Sequence, residues 1–243
     1  MRICLMVATL MVGLAADTYT DIAGQTVIGA VVWIVLLYLL TNADSGERFT
    51  LMACLVIATA GELFLSLGWG LYTYRLENIP LFVPPGHVLL LLLGLALARR
   101  ITEAAALTII AFAGAYSLSA AAAGSDTLGV LLFAMLATAS LVMPKQRRLY
   151  ASTFVLALAL ELWGTWLGNW SWVREVPGTP LVTTNPPLAA GAFYCVLDAL
   201  VLVSHRVVRW PSDWRDWVAT CKDRWLARVA THLAGATKRR KQA

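Results

Sequence analysis

Charge is scarce in this chain: Asp, Glu, Lys and Arg make up 14% of its 243 residues, 59% are hydrophobic, and mean hydropathy is +0.71. So much apolar surface excludes a soluble globular fold and implies a polytopic membrane protein. Ten-residue segments of alternating polarity are missing, which excludes a membrane β-barrel. The four cysteines (Cys4, Cys54, Cys195, Cys221) show no CxxC spacing and sit in apolar or amphipathic runs. Neither a disulfide framework nor a zinc site is supported by them. Also missing are a Gly-rich phosphate loop, HExxH, the histidine boxes of a desaturase and a GxSxG elbow. Nucleotide-driven, zinc-protease, diiron and serine-hydrolase chemistry drop out with them. The net charge of +5 is concentrated at the C-terminus, where it bears on membrane orientation and not on nucleic acid.

What is present is a series of helix-length apolar runs: residues 3–18, 24–41, 49–72, 81–98, 103–123, 127–143, 149–169 and 186–208. The expected fold is all-α, a polytopic bundle of about eight transmembrane helices. The first run has two readings. Arg2 followed by ICLMVATLMVGLAA fits a signal peptide with small residues near its end. A retained helix instead completes a four-plus-four pattern, and that is the expectation adopted.

Orientation follows from arginine and lysine. With the C-terminus inside, the inner loops carry Arg48, Arg99, Arg100, Lys145, Arg147 and Arg148, and the outer loops only Arg75 and Arg174. The expectation is a multi-pass protein of a cell inner membrane with a cytoplasmic C-terminus. Beyond Val208, Pro211 and Ser212 form a helix start, and Trp214, Trp217, Val218, Cys221, Trp225 and Val229 recur at three- and four-residue steps. Residues 209–243 thus read as an amphipathic helix and KRRK tail on the anionic inner leaflet. A partner-docking helix is the alternative. The pattern does not define an oligomeric state.

One block occurs twice. ELFLSLGWGLYTYRLENIPLFVPPGH (residues 62–87) is echoed by ELWGTWLGNWSWVREVPGTPLVTTNPP (residues 161–187). In each, a glutamate inside an apolar helix leads through glycines to paired aromatics and then to a double proline. Two parallel four-helix repeats, 1–98 and 99–208, account for the pattern, followed by the cytoplasmic segment 209–243. Both copies then lie at the outer face. Chance similarity of two aromatic-capped helices is the alternative, because Trp and Tyr collect at membrane interfaces anyway.

A carboxylate in hydrocarbon is expensive, so Glu62 and Glu161 are the leading candidates for chemistry. Helical stepping places Ser66, Trp69 and Thr73 on the stripe of Glu62, and Thr165, Gly168 and Trp172 on that of Glu161. The bland alternative is a carboxyl that bonds a neighbouring helix. His87, two residues after Pro85, suits a general acid or base, a ligand or an interfacial donor. His205 and His232 fall on the inner side, so no polyhistidine metal site forms. Asn169 and Asn185 suit orientation of water or a substrate hydroxyl, or helix capping. Asp198 lies mid-span, with Tyr194 one turn before it.

The strings E-x(5)-G-W-G-L-Y-T-Y and I-P-L-F-V-P, with the later W-S-W, Pro180 and Asn185, resemble the membrane carotenoid 1,2-hydratases, which include the bisanhydrobacterioruberin hydratases. The resemblance covers about fifty residues and touches Glu62, Gly70, Tyr72, Tyr74, Pro80, Trp170, Trp172 and Asn185. It departs where His87 stands in place of an expected tryptophan, and in the spacing from Trp172 to Asn185. It implies acid-catalysed hydration of a C=C bond. A protonated glutamate would supply the acid, and the aromatic faces of Trp69, Tyr72, Trp170 and Trp172 would stabilise the cation. No metal and no cofactor is demanded by that chemistry.

Three readings therefore stand. The first is an enzyme acting on a hydrophobic isoprenoid, carotenoid-like or lipid substrate, and it is preferred. The second is a small proton-coupled transporter or lipid-binding protein. The third is a non-catalytic assembly factor. They differ in what surrounds the glutamates: a closed lipid-accessible cavity, a path to the inner face, or no cavity.

Overall fold

A computed structural model describes residues 2–207. The amphipathic segment expected at 209–243 lies outside them. Eight α-helices make up most of the described chain: α1 (Arg2–Asp17), α2 (Ile22–Thr41), α3 (Ser45–Glu62), α4 (Val83–Ala98), α5 (Glu103–Ala122), α6 (Leu128–Val142), α7 (Arg147–Leu167) and α8 (Gly191–Val207). Local chemistry starts them where expected. Asp21, Asp44 and Thr102 cap α2, α3 and α5 by accepting from the backbone N–H groups of Gly24, Glu47 and Ala105. Pro84 and Pro85 fall in the first turn of α4, where the missing N–H costs nothing.

By length and composition, Ile22–Thr41, Ser45–Gly68, Glu103–Ala122 and Pro144–Leu167 can each cross a membrane. Val83–Ala98, Leu128–Val142 and Gly191–Ser204 are shorter but also apolar. The centre is built from α3, α4, α7 and α8: α4 packs on α7, α3 on α8, α3 on α4 and α7 on α8. Around it, α1 and α2 flank α4, while α5 and α6 flank α7 and α8.

The aromatic pairs are not helix ends. β1 (Tyr72–Tyr74) and β2 (Trp170–Trp172) form an antiparallel ribbon with Tyr72 opposite Trp172 and Tyr74 opposite Trp170. The helical runs expected to continue to residues 72 and 169 stop at Gly68 and Leu167. Gly70 (φ +77°) and Gly168 (φ +78°) turn the chain through left-handed conformations that a Cβ would strain. The helical stepping from the glutamates therefore breaks down. Ser66 donates to the Tyr72 carbonyl (3.2 Å) and Thr165 to the backbone carbonyl of Glu161 (2.7 Å), so neither hydroxyl serves a carboxyl. The last span also starts late. α8 begins at Gly191, and Pro186–Pro187 precede it instead of opening it.

One irregularity has a simple origin. Eight residue steps separate Glu62 from Gly70, but seven separate Glu161 from Gly168. The segment Leu63–Gly68 is π-helical, whereas α7 is α-helical up to Leu167. A π-turn absorbs one extra residue without rotating the chain beyond it. The two glutamates thereby keep the same relation to their strands.

Candidate active site

The ribbon covers one end of the four central helices, and its alternate side chains point inward. Tyr72, Tyr74, Trp170 and Trp172 are buried, whereas Thr73 and Ser171 between them face out. All four polar tips converge on the glutamates. Tyr72 and Tyr74 donate their hydroxyls to Glu62 Oε2 at 2.8 and 2.7 Å. Trp170 and Trp172 donate their indole N–H groups to Glu161 Oε2 at 2.8 and 3.1 Å. The rings pack on one another across the ribbon, Tyr72 and Trp172 with centroids 4.8 Å apart.

The other carboxylate oxygens meet α4 and α8. His87 Nε2 lies 3.3 Å from Glu62 Oε1, and Nδ1 lies 3.0 Å from the Val83 carbonyl. A carbonyl only accepts, so Nδ1 is the nitrogen that donates to Val83 and Nε2 is the one that faces Glu62. On the other side Tyr194 donates its hydroxyl to Glu161 Oε1 at 3.4 Å. The His87 and Tyr194 rings stack, with centroids 4.9 Å apart and planes 10° from parallel. Each glutamate thus has the same set of neighbours: two aromatic donors from its own strand and one ring from the following helix.

Both glutamates line one cavity of about 320 Å³. Its walls come from α1–α4, α6–α8 and the ribbon and are chiefly apolar, with Leu10, Leu90, Phe193 and Leu197 among them. Its polar groups, Thr9 of α1 apart, are gathered around the two carboxyls. Phe64 and Leu200 line it while 61% and 49% exposed, so it opens sideways beside the π-turn and α8. Away from the ribbon the bundle is packed. There Leu36, Leu51, Cys54, Leu55, Leu91 and Val201 form a second packed cluster. Among the described residues, no group of three His, Cys, Asp or Glu side chains could hold a metal ion.

Of the residues singled out in the sequence, Glu62, Glu161, His87, Tyr72, Tyr74, Trp170 and Trp172 come together at this cavity. Four do not line it. Trp69 donates to the Pro177 carbonyl (3.0 Å) and tethers the ribbon to the loop after β2. Asn169 is buried and donates to Asp17 Oδ2 (2.8 Å) and the Leu14 carbonyl (3.1 Å), tying β2 to α1. Asn185 accepts from the Trp172 backbone N–H (3.0 Å). Asp198 is buried in the α8 interior beside Thr153, off the cavity.

Sequence reasoning misses two participants. In the sequence Tyr194 stands out only as a neighbour of Asp198, and its signal is a hydroxyl in the apolar first half of that span. Asp17, at the end of α1, is 1% exposed, accepts from Gln25 (3.0 Å) and lies 3.6 Å from Arg75. Arg75 also donates to the Asp17 and Thr20 carbonyls. Arg174 does the same for the other strand, donating to the carbonyls of Ser125 (2.8 Å) and Thr183 (3.2 Å). Beside it, burial pushes the Asp126 carboxyl above its usual range, with the Gly129 N–H and Arg174 acting the other way.

Comparison of the chain with protein-family models, with curated proteins and with solved structures yields no match.

Proposed function

We propose that the chain is an integral membrane enzyme that adds water across a C=C bond of a hydrophobic, isoprenoid-like substrate. The observation that carries this reading is a laterally open apolar cavity whose polar groups, Thr9 apart, are two glutamates and their immediate partners. An alkene entering from the bilayer meets Glu62 and His87, which hold a transferable proton between Oε1 and Nε2. That proton forms a new C–H bond as the π bond breaks, leaving a tertiary cation. The Tyr72, Trp170 and Trp172 rings and the two carboxyls surround the charge. Water then bonds to the cation, and one of its protons returns to the carboxyl pair. The cycle closes with no net change in the protein and no electron transfer. The resemblance to the carotenoid 1,2-hydratases points the same way.

The membrane arrangement proposed with it is eight spans in two parallel repeats. The ribbon lies at the outer face of a cell inner membrane, and the C-terminus is cytoplasmic. Several correspondences support duplication. Gly70 and Gly168 share a backbone conformation, and α3–α4 pack as α7–α8 do. The Arg75 N–H donates to the Asn169 carbonyl, while the Val173 N–H donates to that of Leu71. Arg75 and Arg174 each bind the loop between the first two helices of their own half. These pairs are what a pseudo-twofold axis along the membrane normal produces. A transport path would continue past the glutamates, and the second packed cluster on that side favours the enzyme reading over it.

The test is a comparison of lipid and pigment extracts from a deletion strain and its parent by mass spectrometry. Hydration predicts a compound lighter by one water accumulating in the deletion strain. Identical compounds in altered distribution would instead indicate transport.

A further inference from the structure

The cavity at the glutamates lies at the small end of ligand sites, which run about 300–1,000 Å³, so it houses one end of a long molecule. Next to it runs an open apolar groove on the bundle surface, lined by the half-exposed Leu131, the exposed Val142, Met135, Thr138 and other residues of α6 and by Val196 and Ala199 of α8. Met135 and Val196 line both spaces and form the boundary between them. Ala134, Ala139 and Ala199 leave the groove open by being small. From Leu131 to Met143 it follows α6 for roughly 18 Å at about 1.5 Å per residue.

We infer that the α6–α8 groove is a tail subsite, which seats the unreactive apolar chain of the substrate while its unsaturated end reaches Glu62 and Glu161. This rests on the proposed enzymatic reading of the cavity. The occupant follows from continuity: the groove shares two walls with the cavity and carries no charged side chain. Met135, unbranched and with three rotatable bonds, suits a junction that a chain must pass. The substrate class is thereby narrowed to linear chains longer than the cavity, with apolar matter on the far side of the reacting bond.

The experiment uses the full chain in lipid vesicles and two photoreactive probes. Both are long linear polyprenes with one isopropylidene end. One carries a diazirine beside that end, the other at the opposite end. Labelled residues are located by mass spectrometry, so no turnover is required. The near-end probe is expected to label cavity residues, and the far-end probe Leu131–Met143 and Val196–Ala199. Ala134→Trp with Ala199→Trp should cut far-end labelling of the groove at least tenfold and leave near-end labelling in place. Far-end label concentrated around Leu63, Phe64 and Leu67, or spread evenly over the exposed faces of α2 and α5, would overturn the tail subsite alone. A near-end probe that never labels the cavity would overturn the cavity as the substrate site, and the tail subsite with it.

Discussion

His87 and Tyr194 lie face to face, with ring centroids 4.9 Å apart and planes 10° from parallel, and each reaches a different glutamate. They occupy matching places: one on the helix after Glu62, the other on the helix after Glu161. The pair is one of the places where the two halves differ. His87 turns a ring nitrogen, able to take or give a proton, toward Glu62, whereas Tyr194 offers Glu161 only a hydroxyl. Glu62 is therefore the expected acid.

Replacing Glu62 with Gln keeps the size and an acceptor for Tyr72 and Tyr74 but removes the transferable proton. Turnover should fall about 10²–10⁴-fold, the usual contribution of a positioned acid. Thermal unfolding and membrane insertion should stay near those of the parent. A fully active, normally expressed variant would demote Glu62 to a structural role.

Tyr194→Phe removes the bond to Glu161 and keeps the stack on His87. A bond of this kind contributes about 0.5–1.5 kcal/mol, so activity should drop up to about tenfold. Tyr194→Ala also removes the stack and should do more harm. Equal rates for the two variants would show that the stack contributes nothing.

Gly164 sits where the Trp170 ring crosses α7, and a Cβ there would come within 2.0 Å of that ring. Gly164→Ala must push Trp170 aside and with it the N–H that meets Glu161. The expected cost is about 1–3 kcal/mol of stability, measured by denaturation, with activity falling in parallel. Wild-type stability in the Ala variant would mean that the ring has room to spare.

The π-turn makes a prediction about deletions. Removing Leu67 gives the first half the Glu-to-Gly spacing of the second, so the turn should relax to an α-helix and the protein should still fold. A melting temperature within about 4 °C of the parent is expected, a change of about 1 kcal/mol. Removing Leu162 offers no extra residue to absorb. It rotates Glu161 against β2 by about 100° and should prevent folding. Equal tolerance of both deletions would contradict the insertion account.

Much of this arrangement is legible in the chain itself. Apolar runs separated by basic loops mark the helices, because burying backbone in hydrocarbon leaves few alternatives. The repeated Glu–Gly–aromatic–proline block marks the site, because a carboxylate among apolar residues needs a reason. The ribbon is not legible. Three-residue strands have no period to detect, and their Tyr and Trp residues look like ordinary interfacial anchors. Helical stepping therefore assigns Trp69 to Glu62, when the π-helical segment Leu63–Gly68 has shifted the register and the turn at Gly70 delivers Tyr72 and Tyr74 instead. Asn169, Asn185 and Asp198 show the complementary difficulty. Polar residues in apolar stretches look functional in one dimension. In three dimensions Asn169 and Asn185 hold the frame of the site, and Asp198 lies off the cavity.

Hydration also fixes where solvent hydrogen ends up. In D2O the product should carry one deuterium bonded to carbon, on the less substituted side of the former double bond, because the acid equilibrates with solvent. A product with no carbon-bound deuterium would rule out protonation of the alkene.

The most direct measurement supplies purified protein in lipid vesicles with a linear polyene bearing an isopropylidene end, in water enriched in heavy oxygen. The account predicts a product heavier by one water, with the heavy oxygen on the tertiary carbon, formed by the parent protein and lost in Glu62→Gln. A folded parent protein that binds the polyene and returns it unchanged in mass would contradict it.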